Sequence, residues 1–249
     1  MAKKQDKKIV LLIVEGSSEE IALSTPFKEF FDKNRFEVEV VGSDITTQKG
    51  ASPQNIISKV TQIVKDHANG PVRLSRSDFA AILHLIDTDG AFVDPSVVIE
   101  NCSLRGEHSR DNPIKYYPDH MEAKFRDRAI TRNKCKAKNL RVLAKTSTLW
   151  EDIPYFAFFM SCNLDHVLHN EPNLSPSDKS RLAEEFDFQY SDRFEDFVSF
   201  LSSAEIRAPG SYADTWQYIQ QENHSLERRT NLGLVFTDTL AGLRPKIKP

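Results

Sequence analysis

The apolar positions of this chain fall into short continuous runs that alternate with stretches of helical spacing. Ile9 to Val14 is a run of six aliphatic residues stopped by Glu15-Gly16. A β-branched run bounded by glycine predicts a buried strand. Ser17 or Ser18 then suits a helix N-cap, with Glu19 and Glu20 at the positive end of the helix dipole. Ile21, Leu23, Phe27, Phe30 and Phe31 mark an amphipathic helix from Glu19 to Lys33, with a fresh turn or a kink at Pro26. Phe36 to Val41 alternates at period two and ends at Gly42, which predicts a second strand. A polar loop follows to Pro53. Ile56, Ile57, Val60, Ile63 and Val64 predict a second helix, stopped near Asn69-Gly70-Pro71. Phe79 to Ile86 is almost wholly apolar, a third strand that ends at Asp87-Thr88-Asp89-Gly90.

Strand, helix, strand, helix, strand implies an α/β fold, a parallel sheet with right-handed crossovers and helices on both faces. Glu15 and the Asp87/Asp89 pair then share one edge of the sheet, at the carboxyl ends of the strands, where open α/β sheets place ligands. Asp94 to Asp119, broken by Pro95, Pro113 and Pro118, predicts a loop-rich insertion with short elements. Tyr155 to Met160 predicts another buried strand, and Ser161-Cys162-Asn163 caps a helix from Leu164 to about His169. Ser175 to Leu240 has helical spacing broken at Gly210, and Arg244 to Pro249 is a loose tail. The expected division is a core over 1–165, with a basic insertion over about 113–150, and a mostly helical extension over 166–249.

Composition narrows the class only a little. The 249 residues carry 28% charged and 39% hydrophobic residues, with a net charge of -3, so local charge has to decide about nucleic acid. No apolar run is long enough to span a bilayer. Cys102, Cys135 and Cys162 are widely spaced without a CxxC, which predicts reduced thiols and a cytoplasmic protein. The local exception is basic. Lys124, Arg126, Arg128, Arg132, Lys134, Lys136, Lys138, Arg141 and Lys145 stand against Asp127 alone, so nine cations and one anion leave +8. Such a run is either a solvated helix face or a phosphate-binding surface, and its lopsidedness favours nucleic acid.

The carboxylates are the main chemical signal. Mg²⁺ or Mn²⁺ takes oxygen ligands, commonly one or two carboxylates completed by water and phosphate. A bend at Gly90 brings Asp87 and Asp89 toward one ion, and Glu15 adds a third group. The plainer reading is a turn, which favours Asp and Gly. His166 and His169 share a helical face and read as packing or capping residues before metal ligands. His84 and the aromatics Tyr155, Phe156, Phe158 and Phe159 read as core.

Val14-Glu15-Gly16-Ser17-Ser18-Glu19 resembles the VEGxSE motif of the TOPRIM domain in OLD-type nucleases and RloB-like proteins, and Asp87-Thr88-Asp89 resembles that domain's DxD. Ser161 to His169 (SCNLDHVLH) faintly resembles the SNPxFExWLxLH stretch of RloB-like proteins. The likeness covers roughly residues 8–90 and, weakly, 155–169. It departs at Ala91, where topoisomerase-type members carry a third aspartate, so the number of metal ions stays open. The resemblance implies Mg²⁺-dependent cleavage or transfer of phosphodiesters. Glu15 is then general acid/base or metal ligand, Asp87 and Asp89 are metal ligands, and Glu19 is a second-metal or outer-shell group. It also implies an effector in anti-phage defence with a partner ATPase.

Asp87 to Asp94 (DTDGAFVD) also resembles the DxDGTLxD motif of haloacid dehalogenase-type phosphatases, with Ala91 in place of Thr. That likeness implies a nucleophilic Asp87 and an acid/base Asp89. A third reading is a nucleic-acid-binding regulatory subunit whose acidic cluster is structural.

Overall fold

The computed structural model describes residues 7–33, 36–42, 45–106, 108 and 111–237. In chain order the elements are β1 (Lys8–Val14), α1 (Ser17–Lys33), β2 (Phe36–Gly42), α2 (Ile56–Ala68), β3 (Phe79–Asp87), β4 (Val98–Glu100), β5 (Ile114–Tyr116) and β6 (Met121–Ala123). They continue with α3 (Arg126–Leu143), β7 (Thr148–Leu149), β8 (Ile153–Met160), α4 (Leu164–His169), α5 (Pro176–Tyr190), α6 (Phe194–Ser202) and α7 (Tyr212–Tyr218). Pro26 lies inside α1, which runs on unbroken to Lys33.

The main sheet has the order β2-β1-β3-β8-β7. Its first four strands are parallel, and β7 pairs antiparallel to β8. Val10, Leu12 and Val14 of β1 face one apolar cluster, shared with α1, α4, α5 and α6. Ile9, Leu11 and Ile13 face another, shared with α2, α3 and α7. Both faces of the strand are therefore dry, which is why its sequence is continuously apolar and does not alternate. The C-terminal helices α5 and α6 cover one face of this same sheet. The expected boundary at 165/166 does not separate them from the core.

The strands β4, β5 and β6 form a small second sheet of order β4-β6-β5, with an apolar cluster of its own that includes Val98, Tyr116, Met121 and Leu226. The short strands β4 and β5 lie within the stretch expected to be loop-rich, Asp94 to Asp119, and β6 lies just beyond it. Among the described residues no helix is long and apolar enough to cross a membrane. The expected tail, Arg244 to Pro249, lies outside the described residues.

The connections set the site. From β1 the chain moves to one neighbour, β2, then crosses back through α2 to the other neighbour, β3. The carboxyl ends of β1 and β3 thus flank the point where strand order reverses, where a crevice opens in such sheets.

Candidate active site at the ends of β1 and β3

Glu15 follows the last residue of β1, and Asp87 is the last residue of β3. The backbone N–H of Asp87 donates to Glu15 Oε1 at 3.2 Å, which ties the two strand ends together. Asp87 Oδ1 accepts from the backbone N–H of Leu164 at 3.0 Å, at the start of α4. That helix begins there because Asn163 caps it, its side chain accepting from His166 N–H at 2.9 Å. Glu19 stands in the first turn of α1, its carboxylate folded back over Gly16.

Asp89 and Gly90 both have left-handed backbone, φ 50° and 66°. A Cβ on Gly90 would come within 3.2 Å of Leu226 Cδ2 and Met121 Sδ, so glycine alone fits the bend without displacement. The bend turns the Asp89 side chain onto α3. Lys136 Nζ lies 2.6 Å from Asp89 Oδ2 and 3.5 Å from Glu15 Oε1, and Arg132 Nη2 lies 3.0 Å from Asp89 Oδ2. Tyr116 Oη donates to Asp89 Oδ1 at 3.2 Å. The Lys136 side chain has no exposed surface.

The two aspartates are held in opposite states. Burial raises the Asp87 carboxyl well above its ordinary value, and the charges of Glu15, Glu19 and Asp89 push the same way. Burial pushes Asp89 upward too. The Lys136 ammonium, the Arg132 guanidinium and the hydrogen bonds from Lys136 and Tyr116 outweigh it, and hold Asp89 well below the carboxylate range. Glu19 is raised, chiefly by burial, with Asp165 nearby adding to the rise. Asp165 is itself paired with Lys179 at 2.6 Å.

The basic segment divides in two. Lys136 and Arg132, expected on a phosphate-binding surface, turn inward onto carboxylates. Arg126 is occupied by the backbone carbonyls of Val98 and Pro95, at 2.7 and 2.8 Å. Arg128, Lys134, Lys138 and Arg141 are exposed, and Lys124 is half-buried. Counting charge could not separate these groups. Facing could have done so, because Ala129, Asn133, Lys136, Leu140 and Leu143 recur at helical spacing and form the buried side of α3. Tyr116, the Leu164 N–H and Lys179 had no signal in the sequence.

The histidines behave as core and packing residues. His84 Nδ1 meets Tyr155 Oη at 2.8 Å within β3 and β8. The His169 ring stands edge-on to Phe186, and burial, reinforced by Arg228, lowers His166 to about 4. All three cysteines are free.

No three His, Cys, Asp or Glu side chains among the described residues stand at the spacing of a ready metal-ligand set. In chemical kind, Glu15, Glu19 and Asp87 are the hard oxygen donors that Mg²⁺ takes. Asp89 is instead committed to Lys136, Arg132 and Tyr116. Family models, curated proteins and solved structures give no match to this chain.

Proposed function

We propose that this protein is a Mg²⁺- or Mn²⁺-dependent nuclease or related phosphodiester-cleaving enzyme of TOPRIM-like type. The observation that carries the reading is the joining of Glu15 and Asp87 across the two strand ends at the reversal point, with Lys136 reaching both Glu15 and Asp89. Glu15, Glu19, Asp87 and Asp89 set four carboxylates against the two cations Lys136 and Arg132. Four negatives and two positives leave a deficit of two charges when all are ionised. A phosphodiester anion is repelled by such a site. A divalent cation held by Glu15, Glu19 and Asp87 cancels the deficit, and when bound it supplies activation of water and neutralisation of phosphate charge.

The chain's own groups do the rest. Glu15, at a crevice edge, accepts the proton of the attacking water at its carboxylate. Lys136 fixes Asp89 and Glu15 in one arrangement, so the acid/base group is oriented before substrate arrives. The Leu164 N–H holds the Asp87 rotamer. A partner ATPase and a place in anti-phage defence rest on the family resemblance alone.

The dehalogenase-type reading needs an ionised Asp87 nucleophile and a proton on Asp89. The environment favours the reverse, a protonated Asp87 and an ionised Asp89, which weighs against it. The experiment offers DNA, RNA and a phosphomonoester, with and without Mg²⁺, to wild type, Glu15→Gln and Asp87→Asn. The expected result is Mg²⁺-dependent phosphodiester cleavage, reduced ~10²- to 10⁴-fold by Glu15→Gln in a folded protein. Phosphomonoester turnover surviving Glu15→Gln, with a phosphoryl adduct on Asp87 by mass spectrometry, would establish the phosphatase reading. Nucleic-acid binding without turnover on any substrate would favour the regulatory subunit.

A further inference from the structure

A recess opens between α3 and the segment from Ala91 to Val98. Phe92, Ile130 and Ala137 give it an apolar floor, and Lys134, Lys138 and Arg141 line it with three cations and no carboxylate. We propose that it holds one unstacked base of a single-stranded nucleic acid, with the neighbouring phosphates on those three cations. The choice of a nucleic acid rests on the nuclease reading above. The choice of a single strand rests on the recess.

Size is the first argument. The cavity is about 210 Å³, below the roughly 300–1,000 Å³ of pockets that enclose a drug-sized ligand. One ring system fits, and the rest of the ligand has to lie outside. Chemistry is the second. The Arg141 guanidinium lies 5.3 Å from the Phe92 ring centroid, and Gln220 Oε1 accepts from its Nε at 2.9 Å. A flat cation beside an apolar slot is a stacking partner for a base. Asn133, only 4% exposed, borders the recess and donates from Nδ2 to Gly90 O at 3.1 Å and to Met121 Sδ at 3.3 Å, which fixes that wall in place. An apolar protein side chain would fill the floor but leave the three cations unanswered.

In a duplex the bases are stacked and cannot enter such a slot, so the favoured substrate is single-stranded or locally unpaired. Helical spacing puts Ile130, Lys134, Ala137 and Arg141 on nearly the opposite side of α3 from Arg132 and Lys136. A helix is about 10–12 Å across, so the held base flanks the cleaved linkage and does not belong to it.

The test measures binding in EDTA, where cleavage plays no part, by anisotropy of labelled polymers of equal length and charge. Single-stranded DNA, single-stranded RNA, an abasic single strand and a duplex are compared on the wild-type protein. The expected result is abasic binding roughly 5- to 150-fold weaker than its base-bearing counterpart, the range for one stacked base. The duplex should be weaker than the single strand, and Phe92→Ala, checked by its melt, should shrink the preference for bases. Binding in EDTA does not depend on turnover, so a failed cleavage assay and a failed base slot are separate results. Equal binding of abasic and base-bearing strands, tighter binding of the duplex, or no binding of any polymer would overturn the proposal. In that last case the recess is left for a protein side chain.

Discussion

Lys136 and Asp89 form a buried ion pair, with Nζ and Oδ2 2.6 Å apart and the lysine side chain wholly withdrawn from water. A lone ammonium there would lose its proton, because burial lowers a lysine. The charges of Asp89 and Glu15 reverse the sign and hold Lys136 above the ordinary lysine range. Removing one member of a buried pair and stranding the other charge typically costs about 3–5 kcal/mol. Lys136→Met leaves Asp89 with Arg132 at 3.0 Å and with the Tyr116 hydroxyl, so its cost in urea denaturation should fall below that range. Adding Asp89→Asn, which tolerates the left-handed backbone, should recover a large part of the loss. Strict additivity of the two changes would mean that the pair is not coupled.

Mg²⁺ should stabilise the protein, and more strongly as pH rises. The folded Asp87 carboxyl sits above its unfolded value. Its contribution is thus fully present below the unfolded value and is lost as pH rises through the raised one. A cation needs the carboxylate, so binding expels a proton and gains affinity at higher pH. Melting curves from pH 5 to 8, with and without millimolar Mg²⁺, should diverge toward the alkaline end, and Asp87→Asn should remove the divergence. Curves that stay superimposed would count against a metal at these carboxylates.

His166 gives the opposite slope. Burial and Arg228 hold it neutral down to about 4, while an unfolded histidine titrates near 6.5. Its contribution is present above the unfolded value and falls as pH drops toward the folded one, by up to about 1.4 kcal/mol per pH unit. His166→Gln should flatten the loss of stability between pH 6.5 and 4, measured by urea midpoints at each pH.

Salt should separate the two halves of the basic segment. Lys134→Gln and Lys138→Gln remove exposed cations and should each reduce the salt slope of nucleic-acid binding by roughly 0.7–0.9 for a lost phosphate contact. A slope unchanged in the double variant would make that face merely solvated.

The parallel core was legible because strands buried on both faces must be continuously apolar, as β1 and β3 are. Glu15, Asp87 and Asp89 were legible as neighbours because alternating strands and helices place strand ends together. The role of α3 was not. Its buried side carries Asn133, Lys136 and Asn139 beside Ala129, Leu140 and Leu143, so the helical spacing is there, but its polar members read as surface when charge alone is counted. β4, β5 and β6 span three residues each, too few to show alternation. The apolar stripes of α5 and α6 reveal two helices, but which sheet face they cover depends on partners distant in sequence.

That distance carries a consequence for synthesis. Glu15 and Lys136 are 121 positions apart, and Asp87 and Leu164 are 77 apart. A ribosome that has released β1 through β3 has delivered the carboxylates but neither their counter-charges nor the helix start that orients Asp87. Contacts of such long range form only after their loop entropy has been overcome. A product truncated before α3 holds a self-repelling acidic cluster without its counter-charges, so this arrangement of side chains exists only in chains that have been made through α4.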